Sequence, residues 1–314
     1  MQQEKKIICV TPIYNDWESF SILAEELEKV RVEFSNYQIK IVAINDGSSE
    51  ETKYPTTSLP IQIVNLKTNI GHQRAIAVGL QYVYNEEQDY DYVVVLDSDG
   101  EDVPSHIPLL LEKAEKEQSK KIIFAERNKR QESIYFKMGY FFYKRIFHFL
   151  TGQKISFGNF SVIPKTLLSK VVHQSNIWNH YSGGIIQSKI PFDKLLLDRG
   201  KRYKGVSKMN FNNLILHGLS SISVYFDYLS LKILRYSLYG ILLCSLSVGI
   251  VLFKKYVTDS AIPGWASSLI LIISGIILQL FSVTLIVLLM QLSSRKNITA
   301  PNSKIYKEFI EIIK

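Results

Sequence analysis

From Trp265 to Leu292 the chain carries no charged side chain, a run that as a helix would extend about 42 Å at ~1.5 Å per residue. That exceeds the roughly 30 Å hydrocarbon layer of a bilayer, so such a helix would tilt or project beyond it. A second run, Ile233–Phe253, holds only Arg235 near its start and would cover about 31 Å. Together they predict a two-helix transmembrane hairpin over 233–292, with a buried hairpin of a soluble protein as the competing reading. Lys232 and Arg235 flank the first span, and Arg295, Lys296, Lys304 and Lys307 follow the second. The connection has Lys254, Lys255 and Asp259, which weakens the asymmetry without reversing it. Basic flanks favour the cytoplasmic face, so both termini are expected there. Met1-Gln2-Gln3-Glu4-Lys5-Lys6 contains no apolar leader, which predicts a cytoplasmic first domain on a multi-pass protein of the inner (plasma) membrane.

Tyr135–Leu150 interleaves Phe136, Tyr140, Phe141, Phe142, Phe147 and Phe149 with Lys137, Lys144, Arg145 and His148. That composition predicts an interfacial amphipathic helix, a buried core helix being the plainer alternative. Residues 213–232 read as a second, juxtamembrane amphipathic helix. The net charge of +8 is concentrated near these elements, where anionic lipid headgroups would attract it. No nucleic-acid-binding module accompanies it, so nucleic acid is not expected as a partner. Cys9 and Cys244 read as small buried hydrophobes, with neither disulfide nor zinc-ligand spacing.

The first 212 residues read as one α/β domain, followed by a tail over 293–314. Ile7-Ile8-Cys9-Val10 runs into Thr11-Pro12-Ile13-Tyr14-Asn15-Asp16, and Ile39–Ile44 into Asn45-Asp46-Gly47-Ser48-Ser49. Ile61–Leu66 leads to Asn69-Ile70-Gly71-His72-Gln73-Arg74-Ala75, and Tyr92–Leu96 to Asp97-Ser98-Asp99. Four apolar strands, each ending in a polar turn and separated by helical stretches, predict a mostly parallel sheet with ligands at one edge. Two carboxylates one residue apart suit Mg²⁺ or Mn²⁺ bridging a diphosphate, although aspartates also cap strand ends for structural reasons.

The ordered set T-P-I-Y-N-D, N-D-G-S-S, N-I-G-H-Q-R-A and D-S-D-G-E-D resembles the family-2 glycosyltransferases of the GT-A fold, over about residues 7–210. Within them the layout is similar to the membrane-attached dolichyl- and polyprenyl-phosphate sugar synthases. The resemblance implies a Rossmann-like GT-A domain, then interfacial helices and two membrane helices. It assigns Thr11, Pro12, Tyr14 and Asp46 to the nucleoside pocket, with an ordinary turn aspartate as the alternative for Asp46. It places Asp97 near ribose and metal and makes Asp99 the direct metal ligand. Glu101 stands where relatives often carry a Gln ligand. Gly71 and Arg74 open a helix that could meet donor phosphates, unless Arg74 is simply solvated. Asp102 reads more readily as the N-cap of the helix after Pro104. Arg127 and Arg130 match an arginine-containing turn suited to phosphate, with a surface charge run as the alternative, for Arg130 more than for Arg127. Arg202, Gly205, Ser207 and Lys208 match an R-x-x-G-x-S-K loop that can close over a diphosphate.

The pattern is broken at Ser156-Phe157-Gly158-Asn159-Phe160, where relatives carry an aspartate-rich stretch. Asn159 then stands in the acceptor region without a carboxylate base. Hydroxyl-directed relatives place a Glu-Asp pair near Trp178-Asn179-His180-Tyr181, where His180 is either a base or a structural or acceptor-contacting residue. A phosphate acceptor, with a second pKa of about 6, needs little help from a base. The expectation is therefore metal-dependent, inverting transfer from a nucleotide sugar, a UDP-sugar, to polyprenyl (undecaprenyl) phosphate, with Asp99, Arg127 and Glu101 as the catalytic set. A flippase and a downstream transferase would then use the product in cell-surface glycan synthesis. A hydroxyl of a lipid-linked glycan is the alternative acceptor, and homo-oligomerisation is left open. A catalytically silent scaffold is the reading from another class, and the intact Asp46, Asp97 and Asp99 argue against it.

Overall fold

A computed structural model of the 314-residue chain describes residues 4–127, 145, 148–149, 152, 157–204, 222–257, 264–296 and 302–313. The chain divides into two compact units: 1–141 with 154–224 and 301–314, and 142–153 with 225–300.

The first unit is built on an eight-stranded sheet. Its strands are β1 (Lys5–Ile13), β2 (Tyr37–Asn45), β3 (Ile61–Leu66), β4 (Tyr92–Val95), β5 (Ile122–Arg127), β6 (Phe157–Pro164), β7 (Phe192–Leu197) and β8 (Ile310–Ile313). They lie in the order β7-β5-β6-β4-β1-β2-β3-β8. The four apolar runs seen in the sequence form the parallel block β4-β1-β2-β3. Alternate residues of a strand face opposite sides, and both sides are covered, which is why these strands read as continuous apolar runs. Val10, Val42, Ile44 and Val64 pack on one face with Ala75, Val78 and Leu80 of helix α2 (His72–Glu86). Cys9, Ile41, Ala43 and Ile63 pack on the other with Phe20, Leu23 and Leu27 of α1 (Trp17–Glu33), and with Leu110 and Leu111 of α3 (Ile107–Lys116).

The other strands bring more of the chain to the same edge. β6 is antiparallel to β4, pairing Val95 with Ser161, so its first residues lie beside the end of β4. β5 is antiparallel to β6, and Glu126 pairs with Phe157. β7 runs parallel to β5. Arg127 and the segment after Leu197 therefore reach the edge where β1 to β4 end. Helices α4 (Lys165–Val172) and α5 (Tyr181–Gln187) pack through Leu168, Val171, Tyr181 and Ile185 on the α2 side.

The last twelve described residues are part of this unit. α8 (Tyr306–Phe309) leads into β8, which pairs antiparallel with β3. The sequence sets 293–314 apart as a tail, whereas 301–314 belong to the first unit. Gln81 of α2 donates to Asn302 O at 3.0 Å and accepts from Tyr306 N at 3.1 Å.

The second unit contains α6 (Phe226–Tyr256) and α7 (Trp265–Lys296). Both are long and apolar enough to cross a membrane, and only 11% of the apolar stretch of α6 and none of that of α7 is buried. Leu243, Leu246, Ile250, Leu271 and Leu278 are exposed, an arrangement a soluble hairpin core would not have. Asp227 at the start of α6 accepts from Gln291 near the end of α7 at 2.6 Å, as an antiparallel hairpin requires. Lys232 lies over the rings of Phe149 and Tyr228 and donates to the Phe149 carbonyl. Most of the proposed amphipathic helix over 135–150, and 213–221 of the juxtamembrane one, lie outside the described residues.

Candidate active site

The turn after β4 carries the densest charge at this edge. Asp97 N donates to Asp102 Oδ2 at 3.0 Å, and Glu101 N donates to Asp99 Oδ1 at 3.0 Å. Asp102 is thus a buried brace of the turn and not the helix N-cap expected from sequence; Val103 precedes the 3-10 turn Pro104–His106. A carboxylate engaged with the backbone N–H of its own turn is not placed to cap the helix that follows.

The segment after β7 folds onto this turn. Tyr203 N donates to Asp99 O at 2.8 Å, and Gly200 N to Glu101 O at 3.0 Å. Gly100 has φ +88°, and a Cβ there would stand 2.7 Å from the Tyr203 ring. At Gly200 a Cβ would collide with the Gly100 carbonyl. Glycine is needed at both positions for the two backbones to approach. The approach delivers Arg202 to Asp99, Nη2 to Oδ2 2.6 Å, and Arg199 to Glu101.

Asp97 faces the other way. Its Oδ1 lies 3.1 Å from His72 Nε2, at the first residue of α2. Asn159 Nδ2 lies 3.0 Å from the same ring nitrogen, so the bond that nitrogen makes depends on the His72 tautomer. Desolvation draws the His72 pKa down, but Asp97, with Asp102 and Asp99 behind it, draws it up by more. Gln73 donates to Asn159 Oδ1 at 3.3 Å and accepts from Tyr181 N at 2.6 Å. Asn159 is therefore joined to the Asp97 side of the turn through α2.

Asp46 is 2% exposed. Its Oδ1 accepts from Ile70 N at 2.7 Å and its Oδ2 from Gly71 N at 3.0 Å. Burial pushes its pKa up, and those two N–H bonds with the nearby His72 recover part of the shift. The carboxylate clamps the loop that opens α2. Thr11 and Pro12 are buried under the edge, and Tyr14 is exposed there. Gly71 is the N-cap of α2 with φ +91°, and Arg74 is exposed.

His180 is the N-cap of α5. Its buried ring accepts from Gly183 N at Nδ1, 3.1 Å, and so caps the helix. Arg127 ends β5 at the site edge. Arg130, Gly205, Ser207 and Lys208 lie outside the described residues.

The carboxylates can be tested against a divalent cation. Among the described residues no three His, Cys, Asp or Glu side chains gather about one point. Asp97, Asp99 and Glu101 lie on one short turn, each beside a different basic side chain. Hard oxygen donors of this kind fit a cation held by one or two carboxylates and completed by substrate phosphates. They do not fit a closed all-protein cage.

Residues 8–171 match the family described as Glycosyl transferase family 2. The chain belongs to that family. The glycosyltransferase YkcC of Bacillus subtilis (strain 168), itself described as uncharacterized, is 28% identical over 298 residues, covering 87% of this chain and 85% of its own. The bactoprenol glucosyl transferase of Shigella phage SfV is 26% identical over 234 residues, covering 70% and 73%. Glucosyl-3-phosphoglycerate synthase from Mycobacterium tuberculosis, crystallised with Mn²⁺, UDP-glucose and phosphoglyceric acid, has a TM-score of 0.50 over 72% of this chain and 80% of that one. At 12% identity that likeness bears on the fold alone, and the first unit is a GT-A domain.

Two residues of this family-2 glycosyltransferase were not singled out from sequence. His72 was passed over because one histidine in a helix-opening turn has no local signature. The register of β6 against β4 is what brings Asn159, and with it His72, to Asp97. Arg199 stands in the basic run Arg199-Gly200-Lys201-Arg202, and only the close approach of the two glycine backbones distinguishes it from Lys201.

Proposed function

We propose that this glycosyltransferase moves a sugar from a nucleotide-sugar donor, a UDP-sugar, to polyprenyl phosphate at the cytoplasmic face of the membrane. One observation carries the reading: the acidic turn of Asp97, Asp99 and Glu101, with Arg199 and Arg202 folded on it, belongs to a chain with two exposed apolar helices. The relative named bactoprenol glucosyl transferase supports the lipid-phosphate acceptor. The tail supports the topology: the chain leaves the catalytic unit before α6 and returns to it at Asn302. Two crossings bring it back to the side it left. Basic flanks favour the cytoplasm for that side.

In this reading Asp97 and Asp99, with Glu101 beside them, would hold Mg²⁺ or Mn²⁺. Such an ion neutralises a leaving diphosphate, so no acid is needed to protonate it. Arg199 and Arg202 are at hand for the same phosphates, and Arg127, at the end of β5, is assigned to the acceptor phosphate. The acceptor oxygen attacks the anomeric carbon as the diphosphate departs, with inversion. Asn159 and His72 border the acidic turn on the α2 side, and an anionic phosphate acceptor requires no stronger base there.

A second acceptor class is favoured by one contact. His72 beside Asp97 at 3.1 Å is a histidine–carboxylate pair able to accept a proton from a sugar hydroxyl. One experiment separates them: the purified full chain is incubated with radiolabelled UDP-sugars, Mg²⁺ or Mn²⁺, and undecaprenyl phosphate. An acid-labile labelled lipid is the expected product. Nucleotide-sugar binding without that product would reject the phosphate acceptor and favour the hydroxyl.

A further inference from the structure

The family assignment gives no task to the strand that follows the membrane hairpin. We propose that β8 forms one wall of the pocket that receives the nucleoside of the donor, with Glu311 and Ile312 as contact residues. The inference rests on the nucleotide-sugar reading above.

A cavity of about 330 Å³ opens among Asn45, Ser48, Asn65, Lys67, Glu311 and Ile312. Its size lies near the bottom of the ~300–1,000 Å³ range of small-molecule pockets, enough for one nucleoside and too little for a whole nucleotide sugar. Its place in the fold suits that occupant. The cavity lies at the ends of β2 and β3, with β1 between it and β4. At about 4.8 Å per strand, its centre is about 12 Å along the edge from the end of β4. A nucleoside diphosphate laid along the edge would put its base and ribose here and its phosphates at Asp97 and Asp99.

The lining chemistry favours the uncharged end of a nucleotide. Asn45 Nδ2 donates to Asn65 Oδ1 at 2.9 Å, and Asn45 Oδ1 accepts from Ser48 N at 3.0 Å. Asn65 Nδ2 donates to the Ile312 carbonyl at 3.3 Å, so the tail itself orients the amide. A primary amide has two N–H donors, which leaves each asparagine one for a base or a ribose oxygen. Glu311 adds an acceptor for a ring N–H or a hydroxyl, and its charge disfavours a phosphate. Lys67, the one cation of the lining among the described residues, donates to Glu308 O at 2.9 Å.

Glu311 and Ile312 are exposed, so substitution there can be read as an effect on binding. The full chain in detergent is titrated calorimetrically with UDP. Ile312→Trp, which fills the cavity, is expected to weaken UDP binding at least tenfold with an unchanged melting temperature. In a second measurement, Glu311→Cys in a Cys244→Ser background is labelled with maleimide, and UDP is expected to slow labelling severalfold. Wild-type binding of UDP with unchanged affinity in Ile312→Trp and unslowed labelling would overturn this inference alone. Absence of UDP binding by the wild-type chain would overturn the donor reading and this inference with it.

Discussion

Replacing Tyr306 tests whether the end of the chain is structurally part of the glycosyltransferase domain. Its ring is 1% exposed, packs edge-on against Tyr82 with centroids 6.2 Å apart, and its hydroxyl bonds Glu86. Removing a buried aromatic ring to alanine costs about 3–5 kcal/mol, from lost transfer energy and the cavity left behind. A domain of this size shifts its melting temperature by about 2–4 °C per kcal/mol, so Tyr306→Ala is expected to melt about 6–20 °C lower. Tyr306→Phe keeps the ring and loses only the bond to Glu86, about 1 kcal/mol, and should fall by about 2–4 °C. Tryptophan fluorescence is a suitable probe, because Trp178 packs against Phe309 of the tail with ring centroids 5.5 Å apart. A Tyr306→Ala protein that melts within about 2 °C of wild type would refute the argument.

The same reasoning changes what a truncation should do. Sequence alone predicts that deleting everything after Leu231 releases a soluble domain that still binds nucleotide. The fragment would lose Tyr306 and leave Gln81, which is fully buried, without Asn302 O and Tyr306 N. Gln81 would keep its bond to Val172 O, but its buried Oε1, left without Tyr306 N, costs a further ~1–3 kcal/mol. Against a total stability of about 5–15 kcal/mol, a loss of about 4–8 kcal/mol is expected to leave the fragment far less stable than the full chain.

Other substitutions probe the site. Asp99→Ala should abolish sugar transfer while membrane insertion is retained; measurable turnover with the same product would remove Asp99 from the reaction. Gly100→Ala must place a side chain at φ +88° against the Tyr203 ring, and should lower the melting temperature and raise KM for the nucleotide sugar; wild-type values in both would show that the two backbones need not approach so closely. His180→Ala should cost about 0.5–2 kcal/mol as a lost helix cap, with His180→Asn restoring most of it and transfer per folded molecule unchanged. A large loss of kcat in both His180 variants would instead return His180 to the reacting groups.

The legible parts of this chain are those whose signal is local. Val93, Val94 and Val95 followed by Asp97 and Asp99 are read correctly because a buried parallel strand is continuously apolar and its polar turn begins where burial ends. Trp265–Leu292 is equally plain: its charge-free run forms a helix long and apolar enough to cross a membrane. Asp102 departs from its sequence pattern because helix capping is a local signal, whereas its bond to Asp97 N follows from a tight turn. Asp46 is harder still: the sequence marks it as special, but its contacts with Ile70 and Gly71 depend on where the loop after β3 passes. β8 had no usable signal. A four-residue strand reading Ile310-Glu311-Ile312-Ile313 acquires meaning only beside β3, from which the membrane hairpin separates it in sequence.

That separation bears on how the enzyme would be joined to a membrane in the proposed topology. The hairpin lies between two parts of one folded unit, 154–224 and 301–314, so it is an insertion and not an appended anchor. An appended anchor could be removed without touching the core, but this one cannot, because Tyr306 and β8 lie beyond it. Closing a long loop costs little extra with length, so the domain can accommodate the insertion provided that both ends emerge on the same side. A hairpin meets that condition, and a single span would strand the tail across the bilayer from its partner strand. In the proposed two-span topology, folding of the catalytic unit would be completed only after the second helix has returned, which would link stable catalysis to correct insertion. Reversing the second helix with added basic residues in the 258–263 connection should therefore destabilise the glycosyltransferase domain itself, read as loss of tryptophan-monitored cooperative melting. A domain that melted normally with its tail on the far side would show that β8 is dispensable.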